Sequence, residues 1–246
     1  MTMVTAGNAE PAAAARGANY YLLETYYLRN STQGPRINEY MSQGLAPALA
    51  QFHKGPKIFL EALVAAHMPQ FVVVLGFESL GELAAMPARL RGDAACRKAA
   101  AAWESGSEAP YEHYSRVVLK SADYSPDAPP APAAKPRIFE LRTYHSPTWM
   151  QLAALHQRFA GPESRIFHRS GIHPIIFSET LVGPQMPNLT YLTPFEDLAA
   201  REKAWDAFGA DPEWVKVRKE SIDAHGQISS VIQITLLRAT LYSPIR

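Results

Sequence analysis

Apolar residues along the chain fall into two kinds of run. Segments 20–28, 57–66, 70–77 and 111–120 are short, apolar or alternating, and have strand length. Segments 34–52 and 80–103 are longer and carry apolar residues at helical spacing, with Pro35 suited to a helical first turn. The same order then recurs. Strands are expected over 137–144, 174–182, 188–195 and 227–237. Helices are expected over 148–170 and 195–208, followed by a short helical turn from Asp211, where Asp-Pro-Glu-Trp offers an N-cap and a Pro at the first position.

The recurrence is visible in the residues themselves. Leu23-Glu24-Thr25-Tyr26 and Leu141-Arg142-Thr143-Tyr144 are offset by 118. At that offset Pro56, Ile58, Phe59, Glu61, Leu63 and Val64 meet Pro174, Ile176, Phe177, Glu179, Leu181 and Val182, and Met68-Pro69 meets Met186-Pro187. About 15 identities fall in about 59 positions, where chance gives roughly three or four. The chain is a tandem duplication. Between the copies lies a Pro/Ala-rich stretch, expected to be an extended linker over 123–135. The domains are then 19–122 and 136–246, after a disordered lead over 1–18.

Each copy reads β-α-β-β-α-β, the split pattern of ferredoxin-like α+β folds. Two helices cover one face of a four-stranded sheet, so the other face needs a partner. Two copies in one chain can supply each other, as an intramolecular barrel with a pocket between the sheets.

Composition narrows the function. With 24 Lys+Arg and 23 Asp+Glu the net charge is +1, which gives no electrostatic footprint for nucleic acid or an acidic membrane. No apolar run reaches the length of a membrane-spanning helix. The N-terminus lacks the pattern of a secretory signal, so the cytoplasm is the expected compartment. The single Cys96 excludes an internal disulfide and a multi-cysteine zinc site, and it reads as a small apolar residue. The eight histidines form no H-x-H or H-x-x-x-H pair, so no metal site is expected. There is no G-x-S-x-G and no phosphate-cradling glycine loop. The four tryptophans fall on or beside helices and are expected to pack the helical layer.

Three stretches carry a family resemblance: RIFELRTYHS (137–146), GIHPIIFSETLVGPQMPNLTYL (171–192) and DLAAREKAWDAFGADPEWVKVR (197–218). They resemble the NIPSNAP family of the dimeric α/β-barrel superfamily. YYLLETYYLRN and LGFESLGELA extend it more weakly into the first copy. The resemblance implies tandem ferredoxin-like domains. The wider superfamily includes cofactor-free monooxygenases, isomerases and lyases, haem enzymes and plain binding proteins. One departure stands out: the second copy has Glu140, Arg142 and Tyr144 where the first has Leu22, Glu24 and Tyr26.

Strand alternation puts Glu140, Arg142 and Tyr144 on one face and Phe139, Leu141 and Thr143 on the other. With the apolar face assigned to the helices, the polar one, together with Glu24 and Tyr26, looks into the space between the sheets. Glu24 and Arg142 could then oppose each other. One reading is a structural ion pair closing the barrel. The other is a general base, Glu24 or Glu140, with a tyrosine as proton donor and Arg142 holding an anionic group. Glu61 and Glu179 sit mid-strand beside Phe59 and Phe177, either as a duplicated structural pair or as part of a substrate site. His113 lies on a strand with its facing open. Ser178 and Thr180 read as hydrogen-bonding fillers.

The expected protein is a small-molecule enzyme without a permanent cofactor, doing isomerase, lyase or monooxygenase chemistry on a hydrophobic or aromatic metabolite. A non-catalytic binding or interaction module is the alternative, and a haem enzyme with one axial histidine a further one. Nucleic acid and membrane are not expected partners, and further self-association stays open.

Overall fold

The computed structural model describes residues 18–126 and 133–246. Residues 1–17 of the expected lead and 127–132 of the expected linker lie outside the described residues. Ala18, the last residue assigned to the lead, is buried in the barrel core.

The first copy forms β1 (Tyr20–Tyr27), α1 (Gln33–Tyr40), α2 (Ala46–Phe52), β2 (Lys57–Val64), β3 (Gln70–Phe77), α3 (Leu80–Gly92), α4 (Ala94–Glu104) and β4 (His113–Ser121). The second forms β5 (Ile138–His145), α5 (Trp149–Arg158), α6 (Ser164–Arg169), β6 (Ile176–Val182), β7 (Asn188–Phe195), α7 (Leu198–Ala210), α8 (Pro212–His225) and β8 (Val231–Ala239). A wide π-helical turn joins α1 to α2 (Met41–Leu45) and α5 to α6 (Phe159–Glu163). The expected helix over 80–103 breaks at Asp93, whose carboxylate caps α4 by accepting from the Cys96 amide. Asp211 does the same at the equivalent place, capping Glu213 and Trp214, and α8 is a full helix rather than a short turn.

All eight strands close into one antiparallel barrel in the order β1-β3-β2-β8-β5-β7-β6-β4. Each copy contributes four neighbouring strands, and β2–β8 and β4–β6 are the two seams. The seams are short. β4 meets β6 only over Val118–Ser121, and β8 meets β2 only from Leu236 onward. The barrel is therefore sealed at one end and splayed at the other.

The expected linker begins with ordered structure. After β4, the Ala122 amide donates to Phe177 O, and the Phe177 amide donates to Ser125 Oγ. After β8, the Thr240 amide donates to Phe59 O, and the Phe59 amide donates to Ser243 Oγ. Tyr-Ser-Pro recurs at 124–126 and 242–244. Each copy thus ends in a clasp that grips the opposite copy, and the two clasps are equivalent under the repeat.

Among the described residues no helix is long and apolar enough to cross a membrane. Trp103, Trp205 and Trp214 pack among the helices as expected, whereas Trp149 is exposed at the start of α5.

Candidate functional site

The facing of the strands is the reverse of the expected one. Leu23, Phe139, Leu192, Leu237 and Ala239 form the buried core inside the barrel, with Leu141 half-buried against them. Leu22 and Tyr26 pack with the helices of the first copy, and Tyr144 packs with those of the second. β1 and β5 are covered on both faces, so both faces carry apolar residues and alternation alone does not say which looks inward. Glu24, Tyr26, Glu140, Arg142 and Tyr144 therefore lie beneath the helices, outside the barrel interior. Glu24 and Arg142 are not opposed.

Each charge finds a partner on its own side. Glu24 is buried and accepts from Arg116 Nε on β4, with the Tyr26 hydroxyl 3.4 Å away. Glu140 is fully buried and accepts from Arg142 Nε, from Arg201 on α7, and from Trp205 Nε1 at 3.0 Å. Arg142 lies over the Trp205 ring at 3.6 Å and donates to the Tyr144 hydroxyl at 3.1 Å. That hydroxyl also accepts from Tyr191 at 2.9 Å. Burial holds both phenols above their ordinary range, so they stay protonated. This is a satisfied polar network inside a hydrophobic layer. It answers the cost of burying charge, and no cavity opens onto it among those described.

Phe59 and Phe177 also face the helices, as core residues. Glu61 and Glu179 sit at equivalent repeat positions. Tyr242 donates to Asn38 Oδ1 at 2.8 Å, and Asn38 Nδ2 donates to Glu61 at 2.6 Å. In the second copy, Tyr124 and His156 Nδ1 are 2.9 Å apart, and His156 Nε2 lies 3.8 Å from Glu179. Tyr–Asn–Glu thus ties one clasp to a helix and a strand by hydrogen bonds, whereas the other is hydrogen-bonded only as far as His156, whose Nε2 has no hydrogen-bond partner. Phe59 and Phe177 are packing residues, Glu61 is hydrogen-bonded to Asn38, and Glu179 lines a surface pocket with Tyr124 and His156 outside the barrel.

The open end of the barrel holds a cavity of about 470 Å³. Its floor is the apolar core, sealed at the far end by Tyr21, Ile58, Ile175, Ile176 and Ile245. Around the opening stand the β2–β3 turn with Ala66, His67 and Gln70, and the β6–β7 turn with Pro184, Gln185 and Asn188. His113 is at the rim, stacked on Tyr27 at 4.3 Å, with His67 edge-on to the same ring at 5.4 Å. Its open facing thus resolves to the mouth. Lysine, arginine and carboxylate side chains are missing from the described lining.

The two walls of the cavity differ. Ala62, Val72 and Val117 in the first copy are replaced at the repeat positions by Thr180, Thr190 and Thr235. Thr180 donates to Asn188 Oδ1 at 2.8 Å, Thr190 approaches the same oxygen at 3.2 Å, and Thr143 and Thr190 are 3.0 Å apart. Sequence reasoning singled out Thr180 only as a filler, although the repeat offset alone locates all three substitutions. His67 was passed over because it sits on a turn. Its Nε2 lies 2.8 Å from Leu28 O, an atom that only accepts, so Nε2 carries the proton and Nδ1 keeps a lone pair.

A family model described as NIPSNAP matches residues 139–244. The second half of the chain is a NIPSNAP domain. No curated protein sequence matches the chain. Among solved structures, a candidate monooxygenase of Fusobacterium nucleatum is similar over 91% of this chain and 93% of its own, at 6% identity and a TM-score of 0.57. A candidate monooxygenase of Lactobacillus acidophilus NCFM covers 90% and 94%, at 10% identity and 0.55. An anthrone oxidase-like protein covers 92% and 93%, at 10% identity and 0.54. At these identities the likeness is one of fold: the NIPSNAP half and its partner copy form one dimeric α/β barrel within a single chain.

His67 is the one imidazole among the described lining residues, and its Nε2 is already held by Leu28 O. The one ring nitrogen left to meet a haem iron there would be His67 Nδ1. Among the described residues no group of three or more His, Cys, Asp or Glu is placed to hold a metal ion.

Proposed function

We propose that the cavity at the open end of the barrel takes up an uncharged hydrophobic or aromatic metabolite, and that the protein acts on it by proton transfer without a permanent cofactor. The observation that supports this is the lining. It is uncharged, mixes apolar residues with hydroxyls on both sides (Thr25, Tyr27 and Ser115 in the first copy; Thr143, Thr180, Thr190 and Thr235 in the second), and carries a single imidazole. A carboxylate or phosphate ligand would meet no cation there and would lose its hydration, at a cost of several kcal/mol. An apolar ring meets Leu23, Val72 and Val117.

His67 is the group equipped to act as base. The Leu28 carbonyl fixes the ring through Nε2–H and leaves Nδ1 to accept a proton from an acidic C–H or O–H of the bound molecule. The resulting imidazolium keeps its Nε2–H bond to Leu28. Removal of such a proton is the opening step shared by isomerisation, elimination and attack on dioxygen. The monooxygenase-like neighbours of the fold make the last of these the first to assay.

Native mass spectrometry of gently purified protein identifies a retained metabolite, and its turnover is then compared with that of His67→Gln. The expected outcome is unchanged retention with turnover down by about 10²–10⁴, the usual worth of a general base. Full activity in the variant overturns the role of His67. A protein that retains nothing and binds no neutral aromatic probe overturns the cavity as a ligand site.

A further inference from the structure

We infer that the Thr143–Thr190–Thr180 patch on the second-copy wall of the cavity is a hydrogen-bond acceptor, so that it selects ligands which donate: a phenol or alcohol rather than its ether, ketone or anion. This deepens the cavity reading above and rests on it.

The inference follows from where the protons must be. Asn188 Nδ2 is 2.9 Å from Gln185 O. A carbonyl oxygen accepts only, so this bond fixes the Asn188 amide and leaves Oδ1 as an acceptor. Thr180 and Thr190 both reach Oδ1, at 2.8 and 3.2 Å, and both must donate to it. The Thr190 proton is then spent. Between Thr143 and Thr190, 3.0 Å apart, Thr143 must be the donor. The directions are Thr143 to Thr190 to Asn188, with Thr180 to Asn188 from the other side. A hydroxyl has one proton and two lone pairs. All three protons are committed within the wall, and what Thr143 and Thr180 have left for the cavity is lone pairs.

The patch therefore welcomes an O–H or N–H and repels a second acceptor. An ether or ketone oxygen placed there would face lone pairs with no proton between. The first copy lacks the device. Asn188, Thr190 and Thr180 correspond to Gln70, Val72 and Ala62, and Thr25 alone matches Thr143. The selecting patch is present in one copy of the duplication and absent from the other.

The test uses three naphthalene probes of similar size with the full-length protein at neutral pH: 1-naphthol, which donates; 1-methoxynaphthalene, which only accepts; and 1-methylnaphthalene, which does neither. Binding is measured by equilibrium dialysis. Naphthol is expected to bind about tenfold tighter than both others, the worth of one or two neutral hydrogen bonds. In the Thr143→Val/Thr180→Val double variant naphthol falls to the level of 1-methylnaphthalene, whose own affinity holds. Val72→Trp fills the opposite wall and abolishes binding of all three, locating them in the cavity. If the three probes bind wild type equally and Val72→Trp still abolishes them, the donor preference is wrong and the cavity reading stands. If naphthol stays preferred in the threonine double variant, the wall is not its cause and the inference falls. If no probe binds, the cavity reading falls and takes the inference with it.

Discussion

The two halves of the barrel share one backbone plan and use it differently. On the helix side the first copy has Leu22, Tyr40, Leu45 and Leu83 where the second has Glu140, Arg158, Glu163 and Arg201. On the cavity side it has Ala62, Val72 and Val117 where the second has threonines. At these positions the second half is polar on both faces where the first is apolar, although the first keeps Glu24 and Arg116 beneath its helices and Thr25, Tyr27 and Ser115 on its cavity wall. A homodimer of identical subunits cannot do this, because any change appears twice. Duplication within one chain lets one half keep the packing while the other acquires hydrogen-bonding direction. The buried charges of the second half are held by fixed partners: Glu163 accepts from Arg158 at 2.6 Å, and Glu140 accepts from two arginines and a tryptophan.

The sharpest way to break the comparison is Glu140→Gln. It leaves Arg142 and Arg201 under the helices without their counter-charge. Removing one partner of a buried ion pair costs about 3–5 kcal/mol. Chemical denaturation should show a loss of that size, with the midpoint moved and the slope kept. A loss below about 1 kcal/mol would mean that water reaches the cluster.

The clasps should behave alike in both halves, with a graded effect. Ser243 is 1% exposed and receives the amide of the buried Phe59, while Ser125 is half-buried and receives that of Phe177. Alanine at either position orphans a backbone N–H, at about 1–3 kcal/mol when no water replaces the hydroxyl. Ser243→Ala is expected at the upper end of that range and Ser125→Ala at the lower. If only one of the two is destabilising, the clasps are equivalent in geometry and not in energy.

These contrasts show what the residues disclosed in advance. The duplication, the strand order and the barrel were legible because identities at a constant offset survive where β2, β3 and their turn must pack, as with Pro56, Ile58 and Phe59. The facing of β1 and β5 was not legible, because alternation marks the inner side only when the outer side meets water. Glu140 and Arg142 sit beneath helices, in a place that alternation reserves for apolar residues, and only tertiary partners on α7 make that tolerable. Tyr-Ser-Pro at 124–126 and 242–244 was visible in the sequence. It was hidden by the Pro and Ala around the first copy, which read as linker. His67 stands on a turn and gives no periodic signal at all.

A pH titration sharpens the comparison between Asn38 and His156. Burial lowers the proton affinity of His156 below its ordinary value near 6.5, with Glu179 and Asp123 pulling the other way. Below about pH 6.5 the unfolded chain takes up a proton that the folded chain refuses, so stability falls on acidification. His156→Asn copies the first half and removes that loss. The slope of stability against pH between about 7 and 5 should flatten by no more than roughly 1.4 kcal/mol per pH unit, the effect of one proton. The difference between variant and wild type is the quantity to read, because Glu163 works in the opposite direction. Burial raises its carboxyl to about 7, so its contribution is present at low pH and is lost as pH rises through that value. An unchanged difference slope would show that His156 exchanges protons as freely folded as unfolded.

The smallest effect belongs to Glu24→Gln. Glu24 is itself buried, but its partner Arg116 keeps 48% of its side chain in solvent. When the carboxylate goes, Arg116 swings outward and is hydrated, and no buried cation is stranded. A pair with one exposed member contributes about 0–1 kcal/mol, and added salt screens it. Denaturation at low and high salt should therefore show a loss under about 1 kcal/mol that shrinks as salt rises. Glu140→Gln should be nearly indifferent to salt, because counter-ions do not enter beneath α7. If the two glutamates give losses of equal size and equal salt response, the polar character of the second half has no energetic counterpart, and the division of labour between the copies would have to rest on the cavity walls alone.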